Sequence, residues 1–224
     1  MLLHRLFALV LVSTAGLAFF AHAAFSPQNN DELNPAVRKC LELSKVGHCS
    51  NGPTGPIEEW DVSRVTGMKD TFSQAKSFNA DISKWDVSRA TRADNMFASA
   101  TDFNADISKW NVARVTRMDN MFDFASSFKA DISEWDVSRV NTMSFMFYNA
   151  KSFNSDISKW DVSQVTDMNN MFAFASSFKQ ELCSTVWIHS KAKKTAWFNG
   201  RKTDMFDGSS GSICKGLSLW SFGR

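Results

Sequence analysis

Eight aspartates stand at two fixed places in a recurring pattern. Asp81, Asp106, Asp131 and Asp156 precede a tryptophan by four residues, and Asp61, Asp86, Asp136 and Asp161 directly follow one. Like charges on adjacent strands repel unless something offsets them, so stacked acids of this kind could hold Ca²⁺ through oxygen ligands. The plainer alternative is structural: the first column makes Asx turns, and the second is neutralised by arginines. Those arginines, Arg64, Arg89, Arg114 and Arg139, also share one position, with Gln164 in the fifth unit. A row of them can bind a polyanion such as a sulfated polysaccharide. A third candidate is the basic cluster Lys191, Lys193, Lys194, Arg201 and Lys202, with Trp197 and Phe198 between. Basic residues beside exposed aromatics bind acidic glycans or membrane headgroups. Catalysis needs one convergent constellation, and the sequence offers none. His48 and His189 stand at opposite ends, and no serine or cysteine has a base nearby in sequence. The chemistry on offer is that of a binding protein rather than an enzyme, with no cofactor or metal expected.

The elements that position these residues follow from a strict repeat. Tryptophans fall at Trp60, Trp85, Trp110, Trp135 and Trp160, a period of 25 without slippage. The surrounding pattern reads D-I-S-x-W-D-V-S-x-V-T-x-M-x-x-M-F-x-x-A-x-S-F-N. In Trp-Asp-Val-Ser, apolar and polar residues alternate, which predicts a short half-buried strand. Thr66, Thr91, Thr116 and Thr166 suit helix N-caps. Met168, Met171, Phe172, Ala175 and Phe178 then follow at the spacing of one helix face. A unit of this size cannot bury its apolar side chains alone, so neighbours must stack. Stacking aligns Ile57, Ile82, Ile107, Ile132 and Ile157 in one column, with the five Trp, the equivalent Val and Phe72, Phe97, Phe122, Phe147 and Phe172 in others. The fold class expected is an α/β repeat: a leucine-rich-repeat-like solenoid with a short parallel strand and a short helix per 25-residue unit. The Asn79, Asn104 and Asn154 column resembles an asparagine ladder that satisfies backbone groups.

Residues 1–23 have the layout of a secretory signal peptide, with His4 and Arg5, an apolar run from Leu6 to Phe20 and a small-residue site at Ala21-His22-Ala23. The rest divides into an N-terminal cap (24–56, with an amphipathic helix over Pro35 to Val46), five repeats (57–182) and a C-terminal cap (183–224). That last cap is read as a degenerate unit: Thr203-Asp204-Met205-Phe206 places its Phe nine residues later than the period requires. Net charge is +2, or +1 without Arg5, which gives no global argument for nucleic acid. No later run reaches membrane-spanning length. Four cysteines in a chain bound for an oxidising compartment predict disulfides. Since the two ends of a solenoid lie far apart, Cys40–Cys49 and Cys183–Cys214 are the favoured pairs. A zinc site is the alternative, weakened by the lack of any Cys-x-x-Cys.

The motif, recurring in register five times, resembles the repeat of BspA-type leucine-rich surface proteins, a domain of unknown function also found in mycoplasma surface lipoproteins. The resemblance implies a leucine-rich-repeat-like solenoid, a cell-surface or extracellular location, a role in adhesion or protein binding, and no catalytic activity. The partner expected is an extracellular protein or glycan; self-association as a structural layer is the alternative. Because the units are near-identical, the insertion in the last one is expected to be the most individual surface.

Overall fold

The computed structural model describes residues 24–198 and 201–215. The expected signal peptide lies outside the described residues, as do the side chains of residues 196–198 and Arg201. No helix among the described residues is long and apolar enough to cross a membrane.

Helix α1, Asn30–Leu43, begins five residues before the expected Pro35 start. Asn29 caps it, its side chain accepting from the Glu32 amide at 3.0 Å. Its buried face, Leu33, Val37 and Cys40, covers the first unit. Asn30 and Asn34 donate side-chain N–H groups to the Lys69 carbonyl at 3.1 and 3.0 Å, so the helix also closes one edge of the stack.

The five units stack in parallel register, through single bridges that link Gly67 to Arg92, Arg92 to Arg117, Arg117 to Thr142, Thr142 to Asp167 and Asp167 to Lys193. The bridges fall four residues past the end of the expected strand. Trp-Asp-Val-Ser does alternate in burial, Trp85 and Val87 inward and Asp86 outward. Its backbone is committed to turns, Trp85 N–H to the Ile82 carbonyl and Ala90 N–H to the Val87 carbonyl.

The segment expected as a helix is a ladder of turns. Amides of residues 68, 70, 72 and 74 donate to the carbonyls of 92, 94, 96 and 98 in the next unit, and the same pattern links each later pair of repeats. A helix would spend those amides within the segment. Two residues per unit, four apart, take left-handed φ, such as Asn95 and Ser99 or Asn120 and Phe124. Successive four-residue turns therefore return the chain to the core at almost the spacing of helical turns. Thr91, Thr116 and Thr166 are not N-caps: each hydroxyl donates to a carbonyl of the previous unit, at 2.9 to 3.0 Å.

Two phenylalanine columns run through the core beside the Ile, Trp, Val and Met columns. Phe72, Phe97, Phe122, Phe147, Phe172 and Phe206 stack with centroids 5.4 to 5.7 Å apart. Phe78, Phe103, Phe128, Phe153 and Phe178 form the second at 5.7 to 6.0 Å. Burial of one such ring is worth about 1.5–3 kcal/mol, so an isolated unit has too little to fold on. Trp85, Trp110, Trp135 and Trp160 each donate indole N–H to an Ile carbonyl one unit back. Trp187, in the short helix α2 (Thr185–Ile188), does the same to Ile157 and so heads a sixth unit.

That sixth unit is interrupted by an antiparallel hairpin, β2 (Thr195–Phe198) and β3 (Arg201–Asp204), and resumes at Met205 and Phe206. Strands β1 (Glu181–Leu182) and β4 (Ser212–Ile213) pair in parallel beyond it. Disulfides join Cys40 to Cys49 and Cys183 to Cys214.

Candidate functional site on the ladder face

Main-chain hydrogen bonds hold the ladder together, so its register does not depend on which side chains stand along it. Its outward positions are also places at which the units differ. At the bridge position stand Gly67, Arg92, Arg117, Thr142 and Asp167; two residues on stand Lys69, Asp94, Asp119, Ser144 and Asn169. Arg92 grips Asp94 through two bonds, Nε to Oδ1 at 2.9 Å and Nη2 to Oδ2 at 2.8 Å. This bond strengthens the hold of Arg92 on its proton. Arg117 Nη2 donates to Asp119 Oδ2 at 3.0 Å, and Asp119 Oδ1 accepts from the hydroxyls of Thr142 and Ser144 in the next unit. The two carboxylates are buried beneath arginines that stay half exposed.

At the other margin the face is aromatic. Tyr148 lies 5.5 Å from Phe124, 5.4 Å from Phe145 and 5.4 Å from Phe174, centroid to centroid. Phe124 is 43% exposed and Phe174 is 37% exposed. Phe124, Phe145 and Phe174 all adopt left-handed φ, of 55°, 56° and 59°. That region costs a side-chain-bearing residue about 1–2 kcal/mol. Phe174 lies against Gly208 of the final unit, where an added Cβ would come within 2.9 Å of the ring. Just before Phe124, burial pushes the Asp123 carboxyl up to about 7, and its Oδ1 is buried without a hydrogen-bond partner.

A family model described as "Mycoplasma protein of unknown function, DUF285" matches residues 41–131 and again residues 106–209. The chain belongs to this family. The matched span of the DUF285 chain runs from the end of α1 to the final unit, and so contains the whole ladder face. No curated protein and no solved structure matches the DUF285 chain.

Of the residues singled out from the DUF285 sequence, exposed Lys193 continues the bridge column beside Asp167, and the others lie elsewhere. Asp61, Asp86, Asp136 and Asp161 accept the amides of Ser63, Ser88, Ser138 and Ser163 at 2.9 to 3.1 Å, and thus close Asx turns. Asp81, Asp106, Asp131 and Asp156 do the same with Ser83, Ser108, Ser133 and Ser158. Hydrogen bonds from these serines hold Asp61, Asp81, Asp106, Asp131, Asp136 and Asp156 below the usual carboxylate range. The expected pairing of the second column with arginine is not formed. Arg64 donates to Gln28, and among the described residues Arg89, Arg114 and Arg139 make no ion pair.

Neither column gathers ligand atoms for a cation. Among the described residues the one grouping of three is Glu181, Cys183 and Cys214, whose sulfurs are bonded to each other. In the final unit, Lys191, Lys193 and Lys202 are exposed. Lys194 folds back to the Ser190 carbonyl at 2.7 Å, where burial lowers its pKa. The backbone of Arg201 pairs with Phe198 in the hairpin. The Asn column does carry a backbone role: Asn79, Asn104 and Asn154 accept the amides of Asn104, Lys129 and Lys179.

Sequence reasoning missed Arg92, Asp94, Arg117 and Asp119, together with the aromatic cluster. The signal was present as disagreement between units, legible only by asking where the columns change.

Proposed function

We propose that this DUF285 chain is a secreted or surface-displayed, non-catalytic binding module of the BspA type, a leucine-rich-repeat-like solenoid that engages an extracellular protein or glycan through its ladder face. The observation that carries this reading is the variety of side chains that one outward surface carries, with half-exposed arginines at one margin and exposed aromatics at the other. A scaffold built only to stack has no use for Phe at left-handed positions that its own neighbouring units fill with Asn. The two disulfides support an oxidising, extracellular setting.

The test is a binding screen of the full chain with both disulfides formed, against arrays of extracellular proteins and of glycans. A parallel arm carries Arg92→Ser and Arg117→Ser with Phe124→Asn and Phe174→Asn. A specific ligand lost in that arm is the expected result. Silence on both arrays together with concentration-dependent oligomers in light scattering would replace the binding reading by structural self-association.

A further inference from the structure

We infer that the groove between α1 and the first unit is a further binding site, one that takes an anionic saccharide. None of the arginines and aromatics that carry the reading above lines this groove, so the inference goes beyond that reading and does not depend on it.

Two elements build the walls. On α1, Arg38, Leu41 and Glu42 stand three and four residues apart and so share one face, with Lys45 just past the helix end. Residues 73–77 of the first unit form the opposite wall. Leu41 and Ala75 pack against the core and are the apolar part of the lining. The groove holds about 380 Å³, within the range of sites that receive small ligands.

Charge comes next. Three cations, Arg38, Lys45 and Lys76, line the groove with one carboxylate, Glu42. All four are exposed, and among the described residues none of their side chains makes an ion pair or a hydrogen bond. Elsewhere the chain cancels such charges. Arg92 and Arg117 are held by Asp94 and Asp119, and in the groove beside Lys129 and Lys159 the two lysines are matched by Asp131 and Asp156. The repeat supplies a control for Lys76. In units two, three and five its counterpart is a hydroxyl, on Thr101, Ser126 or Ser176, that donates to the preceding unit. No unit precedes the first, so Lys76 is free of that task and turns a positive charge to the groove.

The cations call for an anion, and the rest of the lining selects a saccharide to carry it. The hydroxyls of Ser73 and Ser77 and the side-chain amide of Gln74 make no hydrogen bond among the described residues, which leaves donors and acceptors for sugar hydroxyls. A nucleic-acid strand is held by aromatic side chains on which its bases stack, and among the described residues no aromatic lines this groove. A peptide interface centres on aromatic or large apolar anchors, whereas this lining is polar but for Leu41 and Ala75.

Titration of the full disulfide-bonded chain with a fluorescently labelled heparin-derived tetrasaccharide tests this. Arg38→Gln/Lys45→Gln/Lys76→Gln is compared with Arg89→Gln/Arg114→Gln/Arg139→Gln, which removes the same charge from the turn side. The groove variant should bind about tenfold more weakly than the parent, with an unchanged melting temperature, and the turn-side variant within about twofold of it. Added salt should bring the parent toward the groove variant. No measurable binding by the parent, or full binding by the groove variant, overturns the inference. Equal loss in the two variants overturns it as well, because net charge alone then accounts for binding. Displacement by a neutral tetrasaccharide at the same concentration removes the anion from the description. Displacement by inorganic sulfate, an oligoglutamate peptide or an oligothymidylate at the same concentration removes the saccharide. None of these outcomes touches the ladder face, whose own variants leave this groove intact.

Discussion

The two long sides of the stack use the same 25-residue unit in opposite ways. On the turn side, which carries Trp-Asp-Val-Ser, the aspartate, tryptophan and asparagine columns are engaged by backbone groups. Asp86 closes a turn on Ser88, Trp85 holds Ile57, and Asn79 accepts the Asn104 amide. A change in those columns leaves an unmade backbone bond, so the units match there. On the ladder side main-chain bonds do that work, and Arg92, Thr142 and Asp167 can occupy one position without altering the register. Sameness between units thus reports the demands of the fold, and difference reports surface left open to other use.

The sharpest break of this comparison sets a core ring against a ladder-face ring. Phe122, fully buried between Phe97 and Phe147, should lose about 3–5 kcal/mol as Phe122→Ala. Phe124, two residues on, should lose nothing as Phe124→Asn. Urea denaturation of both variants checks this, and a similar loss for the two would erase the distinction between core and face.

A smaller effect isolates Asp123. Its carboxyl is raised to about 7 by burial in the folded chain, against about 3.9 when unfolded. The folded state thus holds the proton more tightly, so the contribution to stability is greatest below about pH 4 and falls as pH rises toward about 7. Asp123→Asn should gain on the order of 2 kcal/mol at pH 8, a figure discounted for the partial exposure of the group, and almost nothing at pH 4. The Asx carboxylates work with the opposite sign. Their lowered values stabilise above the unfolded range and lose that contribution as pH falls below about 4. Melting curves of both proteins from pH 3 to pH 8 measure the two slopes, and a pH-independent difference between them would remove Asp123 as their source.

Much of the architecture was legible because burial recurs with the chain period. The Ile, Trp, Val and Phe columns follow from the spacing, and the favoured cysteine pairs from their places before and after the repeats. The backbone conformation was less accessible. Met68, Phe72 and Ala75 turn inward every three or four residues whether the segment is a helix or a run of turns, so periodicity alone cannot separate them. Left-handed residues can, and Asn95, Asn120 and Asn170 were the available sign. Trp187 escapes the repeat pattern because it stands 27 residues after Trp160, two more than the period. The Arg92–Asp94 pair and the aromatic cluster escape it for a different reason: alignment of the units rewards agreement, and these residues disagree.

The smallest expected effect belongs to the arginine column of the turn side. Arg89 and Arg114 are exposed and make no ion pair among the described residues, and the fifth unit already works with Gln164 there. Replacing both as Arg89→Gln/Arg114→Gln removes two positive charges but no bond that closes a turn or joins one unit to the next. Exposed charges of this kind contribute within about 0.5 kcal/mol, and the unit itself supplies Gln as a tolerated residue. Stability in urea should therefore match the parent, and so should binding of any ligand found in the array screen, at low salt as well as high. Loss of that ligand at low salt would move the binding surface to the turn side, and with it the proposal that the varied face is the one that meets a partner.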